Sequence, residues 1–314
     1  MKAIEFDRFG SVEVLQIRDV AEPTIRPDEV LVRVAATTVN PKDTFVRKGR
    51  FAWLVGRKFP KRIGYEFAGT VVRAGAEAAP FKPDDRVWGA LDGFAGGGAA
   101  ELVAARASRT GLCPPDLAFE ECAAIPLAAQ TALQALRDDG RLLAGQRVCI
   151  NGGSGGVGSF AIQIAKALGA RVTSISSARN ADLCRSLGAT ETVDYAATPV
   201  SAIAGPFDVF FDVFGNHSFG RVRHLLARGG TYVTTVPKPG TLLLHVVTRL
   251  PFSRRSRLVA IRSRRADLDL LAGMVRAGTL RAVIDRVYPF SEIAAAHAHV
   301  ETKHSRGKVV VRVA

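Results

Sequence analysis

The sequence predicts an α/β protein of two domains, a β-rich first part followed by a doubly wound parallel sheet. Three observations predict it. The chain has 314 residues, and one domain commonly takes ~100–200. Its first third carries short β-branched runs separated by proline, glycine and aspartate, the rhythm of a small barrel or sandwich. From Arg147 onward strand and helix patterns alternate, and right-handed crossovers turn that alternation into a parallel sheet.

The elements follow in order. Val12–Val14 and Val30–Val34 read as the first strands, divided by Pro23, Pro27 and Asp28. Gly64–Arg73, Arg86–Ala90 and Ala99–Ala104 continue the β pattern. The pattern changes after Pro114-Pro115, where Phe119–Ala135 takes helical spacing interrupted at Pro126. Arg147–Asn151 is a strand, Val157–Leu168 an apolar helix closed by Gly169, and Arg171–Ser177 a second strand. Asn180–Leu187 is a helix stopped by Gly188, and Thr192–Tyr195 a short strand. Phe207–Phe214 is almost continuously apolar, as expected of a strand buried on both faces. A helix over His217–Ala227 and a strand over Thr231–Val236 follow, then a helix over Ala266–Ala277 and a strand over Val283–Val287. A helix from Ser291 to about Val300 and a strand over Lys308–Val313 end the chain.

Composition excludes several classes. At 47% hydrophobic and 23% charged the chain has the material for a core and is not a disordered protein. No apolar run approaches the ~18–20 residues of a membrane span. Met1–Gly10 carries Lys2, Glu5, Asp7 and Arg8 and does not read as a secretory signal, so a cytoplasmic location is expected. Cys113, Cys122, Cys149 and Cys184 lie far apart, as reduced buried thiols do, and not as a disulfide framework or a cysteine zinc site. The formal charge of +14 is uneven: seven arginines and no acid lie between Arg249 and Arg265 and supply half of it. The remainder is mildly basic, which makes nucleic acid an unexpected partner.

The strongest motif is Gly152-Gly153-Ser154-Gly155-Gly156-Val157-Gly158, after a strand and before a helix. Glycine there permits a tight turn, close approach of a pyrophosphate and helix packing, and the helix start offers N–H groups to the phosphates. A ribose-binding acid is expected about twenty residues further on in an NAD site. Ser176, Ser177 and Arg179 stand at that strand end, with no acid. Hydroxyl and guanidinium donors suit a 2′-phosphate, so NADPH is the expected cofactor.

Several runs together resemble the zinc-independent medium-chain dehydrogenase/reductases, quinone oxidoreductase branch. They are Gly152–Lys166, Leu168-Gly169-Ala170, Ser186-Leu187-Gly188-Ala189, Val193-Asp194-Tyr195, Val39-Asn40-Pro41-Lys42-Asp43, Gly64–Val71, Pro126–Ala132 and Arg306–Val310. The resemblance implies a GroES-like catalytic domain over residues 1–115 and 288–314, a Rossmann domain over 116–287, and an active site in the cleft. It also implies a metal-free, NADPH-dependent reductase of quinones or enones, and a homodimer is the expected assembly. The alternative is a cofactor-binding surface or membrane-interaction protein with little catalysis.

Zinc-containing relatives use an early cysteine and a G-H-E histidine. Here Asn40 and Asp43 occupy the first region and Tyr65 the histidine position, and no four-cysteine lobe exists, so no metal is expected. His297 and His299 lie two apart on a helix and do not share a face. The resemblance places Asn40 beside the nicotinamide and the substrate carbonyl, where its amide would stabilise a developing oxyanion. Asp43 would orient Asn40 or pair with a nearby arginine. Relatives often carry a tyrosine where this chain has Phe45, which leaves Tyr65 as the nearby candidate proton donor. Thr131, Val213, Phe214 and Gly215 are expected along the cofactor, Tyr195 near the adenosine phosphate and Lys308 in the cofactor cleft. The segment 241–265 departs from simpler members. Its apolar helix and arginines fit an anionic membrane surface, a dimer contact, a lid or a solvated face.

Overall fold

The computed structural model describes residues 1–50, 52–248 and 254–313. The first strands are β1 (Lys2–Phe6), β2 (Gln16–Asp19) and β3 (Glu29–Val39), after which the chain forms helices α1 (Pro41–Arg47) and α2 (Ala52–Val55). Then come β4 (Lys61–Arg62), β5 (Glu66–Ala74), β6 (Arg86–Ala90), β7 (Leu102–Arg106) and β8 (Thr110–Leu112). β-Branched Val30, Val32 and Val34 of β3 pack with Phe67, Val71 and Val87 into a buried core, where branched side chains suit a pleated surface. Val12–Val14, expected as a strand, is a 3-10 turn, too short to pair.

Helices α3 (Phe119–Ala124) and α4 (Pro126–Gln134) divide at Pro126 as the pattern predicts. The second unit then alternates β9 (Arg147–Asn151), α5 (Gly156–Ala167), β10 (Arg171–Ser176), α6 (Ala181–Leu187), β11 (Glu191–Asp194) and β12 (Phe207–Asp212). It ends with α7 (Phe219–Val222), β13 (Leu226–Thr234), α8 (Pro239–Val247) and β14 (Arg255–Leu258). Its sheet is wholly parallel, in the order β11-β10-β9-β12-β13-β14. Counted within the unit this is 3-2-1-4-5-6, and the order reverses between β9 and β12, which makes their carboxyl ends the ligand-binding switch point. Two expectations are corrected here. The helix over His217–Ala227 shrinks to α7 because β13 already begins at Leu226. Part of the arginine-rich segment is strand β14, whose Ser256 is buried.

The remaining elements are α9 (Arg265–Arg276), β15 (Ile284–Pro289), α10 (Ile293–Glu301) and β16 (Lys308–Arg312). β16 pairs antiparallel with β3, with Val309 opposite Val39, and completes a sheet ordered β15-β16-β3-β5-β6-β8, with β7 also on β3. The two compact units are Met1–Gln130 with Arg262–Ala314, and Thr131–Ile261. These divisions differ from 115/116 and 287/288 for a physical reason: α3 packs on β3, β5 and β16, and α9 packs on β8. Both helices cover the β-rich unit and so belong to it. No helix among the described residues is long and apolar enough to cross a membrane.

Candidate active site

Where β3 ends, Asn40 caps α1 and Pro41 takes the first helical position, which its fixed φ and missing N–H suit. The Asn40 N–H donates to Asp43 Oδ2 at 2.8 Å, half of a capping box. The Asn40 side chain is used elsewhere. Its Nδ2 donates to Thr38 Oγ1 at 3.1 Å and to Glu66 Oε1 at 3.1 Å, and its Oδ1 accepts from Lys308 Nζ at 2.6 Å. Lys308 and the Thr38 hydroxyl also donate to Glu66 Oε1. The other oxygen, Oε2, accepts the Leu127 N–H at 2.7 Å. Glu66 is 0% and Lys308 3% exposed. An ion pair this dry persists because hydrogen bonds saturate it. Both amide hydrogens of Asn40 are therefore engaged, and the ammonium of Lys308 is turned into this network.

Asp43 is equally buried. Its Oδ1 accepts the Gly64 N–H at 2.8 Å, so the carboxyl fastens the start of α1 to the turn before β5. Burial pushes its pKa up to about 6, against the two backbone N–H bonds. Of the two roles expected for Asp43, the contact to Asn40 is made through the Asn40 N–H, and the nearby Arg47 pairs with Glu301. Tyr65, the candidate proton donor, directly precedes β5. It is fully buried, its hydroxyl donates to the Phe94 carbonyl at 3.1 Å, and burial drives its pKa well above the usual phenol value. Lys42 Nζ stands 3.9 Å from the Tyr65 ring centroid, a cation–π contact. Among the described residues no group of three or more His, Cys, Asp or Glu side chains could hold a metal ion.

In the second unit, β9 runs into the glycine turn and α5 begins at Gly156. Gly152 has φ +90°, and a Cβ on Gly158 would stand 2.1 Å from the Gly152 carbonyl oxygen. The helix start thus lies against the loop backbone, the geometry that a phosphate-binding glycine turn requires. Around Gly155 a Cβ would meet only the Gly152 oxygen, at 3.4 Å, so that side of the loop is open. Ser154 Oγ accepts from Asn180 Nδ2 at 2.9 Å, tying the loop to the turn after β10. Val157 sits in the first turn of α5.

Ser176 and Ser177 line a groove of ≈ 400 Å³ with Asp182, Arg185, Thr192 and Asp194. Arg179 is exposed in the turn Ala178–Asn180 and is not among those lining residues, and Tyr195 is exposed just beyond β11. Arg185 pairs with Asp182 at 2.7 Å. The two acids come from α6 and β11, so reading along β10 does not reveal them. Past β12, the Val213 N–H donates to the Asn151 carbonyl at 3.1 Å, and exposed Phe214 leads into Gly215. Thr131 lies half-buried on α4.

Sequence reasoning missed two acids. Glu66 was visible as a charge opening an otherwise apolar strand. Asp212 was visible as one of two acids, with Asp208, inside the otherwise apolar run Phe207–Phe214. Buried Asp212 accepts from Asn151 Nδ2 at 2.7 Å, Gly215 N–H at 2.9 Å, His217 N–H at 3.0 Å and the Tyr232 hydroxyl at 2.9 Å. It holds the loop after β12 at the switch point.

The segment 241–265 does not present one comb of free guanidinium groups. Leu243 and Val247 of α8 are exposed, but half-buried Arg254 donates to the Leu226 carbonyl and Arg257 to that of His245. Arg262, Arg264 and Arg265 belong to the other unit, and Arg249 and Leu250 lie outside the described residues.

One unit that is β-rich and includes the C-terminal strand, and another built on a 3-2-1-4-5-6 parallel sheet with a glycine turn, together define a two-domain dehydrogenase/reductase architecture. Residues 26–115 match the family model "Alcohol dehydrogenase GroES-like domain", and residues 187–311 match "Zinc-binding dehydrogenase". The chain is 31% identical to the chloroplastic quinone-oxidoreductase homolog of Spinacia oleracea, over 99% of this chain and 98% of that one. It is 33% identical to the mitochondrial NAD(P)H oxidoreductase RTN4IP1 of Mus musculus, over 100% of this chain and 89% of that one. The solved quinone oxidoreductase of Coxiella burnetii superposes with a TM-score of 0.91 at 33% identity, covering 100% of this chain and 99% of that one. The chain belongs to the quinone oxidoreductase branch of the medium-chain dehydrogenase/reductase superfamily.

Proposed function

We propose that the chain is a metal-free, NADPH-dependent reductase of quinones or α,β-unsaturated carbonyls. The observation that carries this reading is the glycine cradle opening into α5 at the switch point of the parallel sheet. Its relatives carry the names quinone oxidoreductase and NAD(P)H oxidoreductase. When bound, NADPH would supply the hydride. Gly152, Ser154, Gly155, Gly156, Val157 and Gly158 would hold the pyrophosphate. Val213, Phe214, Gly215 and Thr131 would border the nicotinamide end. Ser176, Ser177, Arg179 and Tyr195 would meet the adenosine phosphate. Asp182 and Asp194 in the adjoining groove oppose that anion, so the preference for NADPH rests on the hydroxyls and Arg179.

Asn40 would stabilise the developing oxyanion by giving up its bond to Thr38 or Glu66. Lys308, pinned to Asn40 Oδ1, would orient the amide and not reach a phosphate. Water would deliver the final proton. Metal independence is supported by the residue types: an amide and a buried phenol stand where zinc relatives use cysteine and histidine. Stopped-flow oxidation of NADPH against quinones, enones and alkenals tests the reading. Turnover with a quinone or enone is expected. Tight NADPH binding with no turnover on any acceptor would sink it.

A further inference from the structure

The stretch between Asp43 and Glu66 contains no acid. Midway, α2 presents Trp53, 82% exposed, and Leu54, 51% exposed. Tryptophan is among the more buried residue types, and adjoining exposed apolar side chains mark interaction surfaces. The base of this stretch is anchored: Phe59 packs edge-on against Phe9, with ring centroids 5.1 Å apart, and Lys61 Nζ donates to the Val55 carbonyl at 3.1 Å. Arg47 and Lys48 pair with Glu301, and Arg62 with Glu5. Arg50, Arg57 and Lys58 are exposed and, among the described residues, have no carboxylate partner. The result is an exposed apolar pair flanked in the chain by exposed cations, on an anchored base.

We propose that this stretch docks on an anionic lipid surface, with Trp53 and Leu54 entering the headgroup layer and Arg50, Arg57 and Lys58 meeting lipid phosphates and carboxylates. Amphipathic aromatic rings settle at membrane interfaces, and basic residues add attraction to anionic lipid. Leucine beside tryptophan favours lipid over nucleic acid, where stacking platforms are aromatic. This stretch is distinct in sequence from the segment 241–265.

The protein carries its own probe. It has two tryptophans, Trp53 and Trp88, and Trp88 is fully buried. Emission shift and acrylamide quenching therefore report on Trp53. With phosphatidylserine/phosphatidylcholine vesicles the emission should move to the blue and quenching should fall, and pure phosphatidylcholine should do neither. Arg50→Gln/Arg57→Gln/Lys58→Gln keeps the probe and should weaken vesicle binding by about tenfold or more. Trp53→Ser/Leu54→Ser, followed by vesicle co-sedimentation, should weaken binding comparably while the melting temperature and NADPH binding stay at wild-type values. The proposal is overturned if no vesicle shifts the emission, if neutral vesicles shift it equally, or if either variant sediments like wild type. It is also overturned if a protein copy, quinone, NADPH or single-stranded RNA alone protects Trp53. Those results would assign the stretch to a dimer contact, a lid over the protein's own site or a nucleic-acid surface.

Discussion

Lys308 Nζ lies 2.6 Å from Asn40 Oδ1, although 268 positions separate them in the chain. Pairing of β16 with β3 causes this, since Val309 opposite Val39 sets their neighbours side by side. The ammonium fixes which end of the amide is which: oxygen toward Lys308, nitrogen toward Thr38 and Glu66. An amide held this way offers its hydrogens in one direction, which is what a donor to developing charge requires.

Lys308→Met should cost about 3–5 kcal/mol, because it leaves the buried Glu66 carboxylate without its cation. Adding Glu66→Gln should recover part of that loss, so that the double variant is more stable than the two single losses predict. Urea unfolding of the four proteins checks this. Additive losses would mean the pair is not coupled.

Asn40→Ala should lower kcat much more than it weakens NADPH binding. An oxyanion donor in a dry site is worth about 2.7–4 kcal/mol. The low end of that range or less is expected, since Thr38 and Glu66 compete for the same hydrogens. Wild-type kcat in the variant would reduce Asn40 to a helix cap.

NADPH should bind about tenfold more tightly than NADH, or ~1.4 kcal/mol. Arg179→Ala should weaken NADPH and leave NADH nearly unchanged in fluorescence titrations. Equal losses for both cofactors would refute the assignment of the 2′-phosphate to this strand end.

Asp43 gives a pH signature. Burial raises its folded pKa to about 6 from an ordinary 3.8, so between those values the folded state binds more protons than the unfolded one. Stability from this group therefore grows as pH falls from about 6 toward 4, by about 2–3 kcal/mol. Asp43→Asn should lose ~1–3 kcal/mol near pH 7, because one backbone N–H loses its acceptor. Subtracting the variant's stability from that of wild type across pH 4–7 should show a difference that rises toward acid. A flat difference would place the Asp43 pKa near its ordinary value.

Exhaustive chelation should leave both turnover and the melting temperature unchanged. Stoichiometric zinc lost together with activity would overturn the metal-free reading.

Elements with a local cause were legible in the sequence. Glycine spacing marked the turn into α5, and alternating strand and helix periods marked the parallel sheet. Pro126 marked the division between α3 and α4. Asn40 and Lys308 were already singled out, but as separate residues with separate tasks. That they are partners follows from the pairing of β16 with β3, because sheet register is set by side-chain packing between distant segments and no local pattern encodes it. The same reason applies to Glu66 and Asp212, whose hydrogen-bond donors come from elsewhere in the chain. It applies also to the groove beside Ser176, where acids from α6 and β11 join a strand end that carries none. Tyr65 has the chemistry of a proton donor in the sequence, and its burial and its bond to the Phe94 carbonyl appear only in the structure.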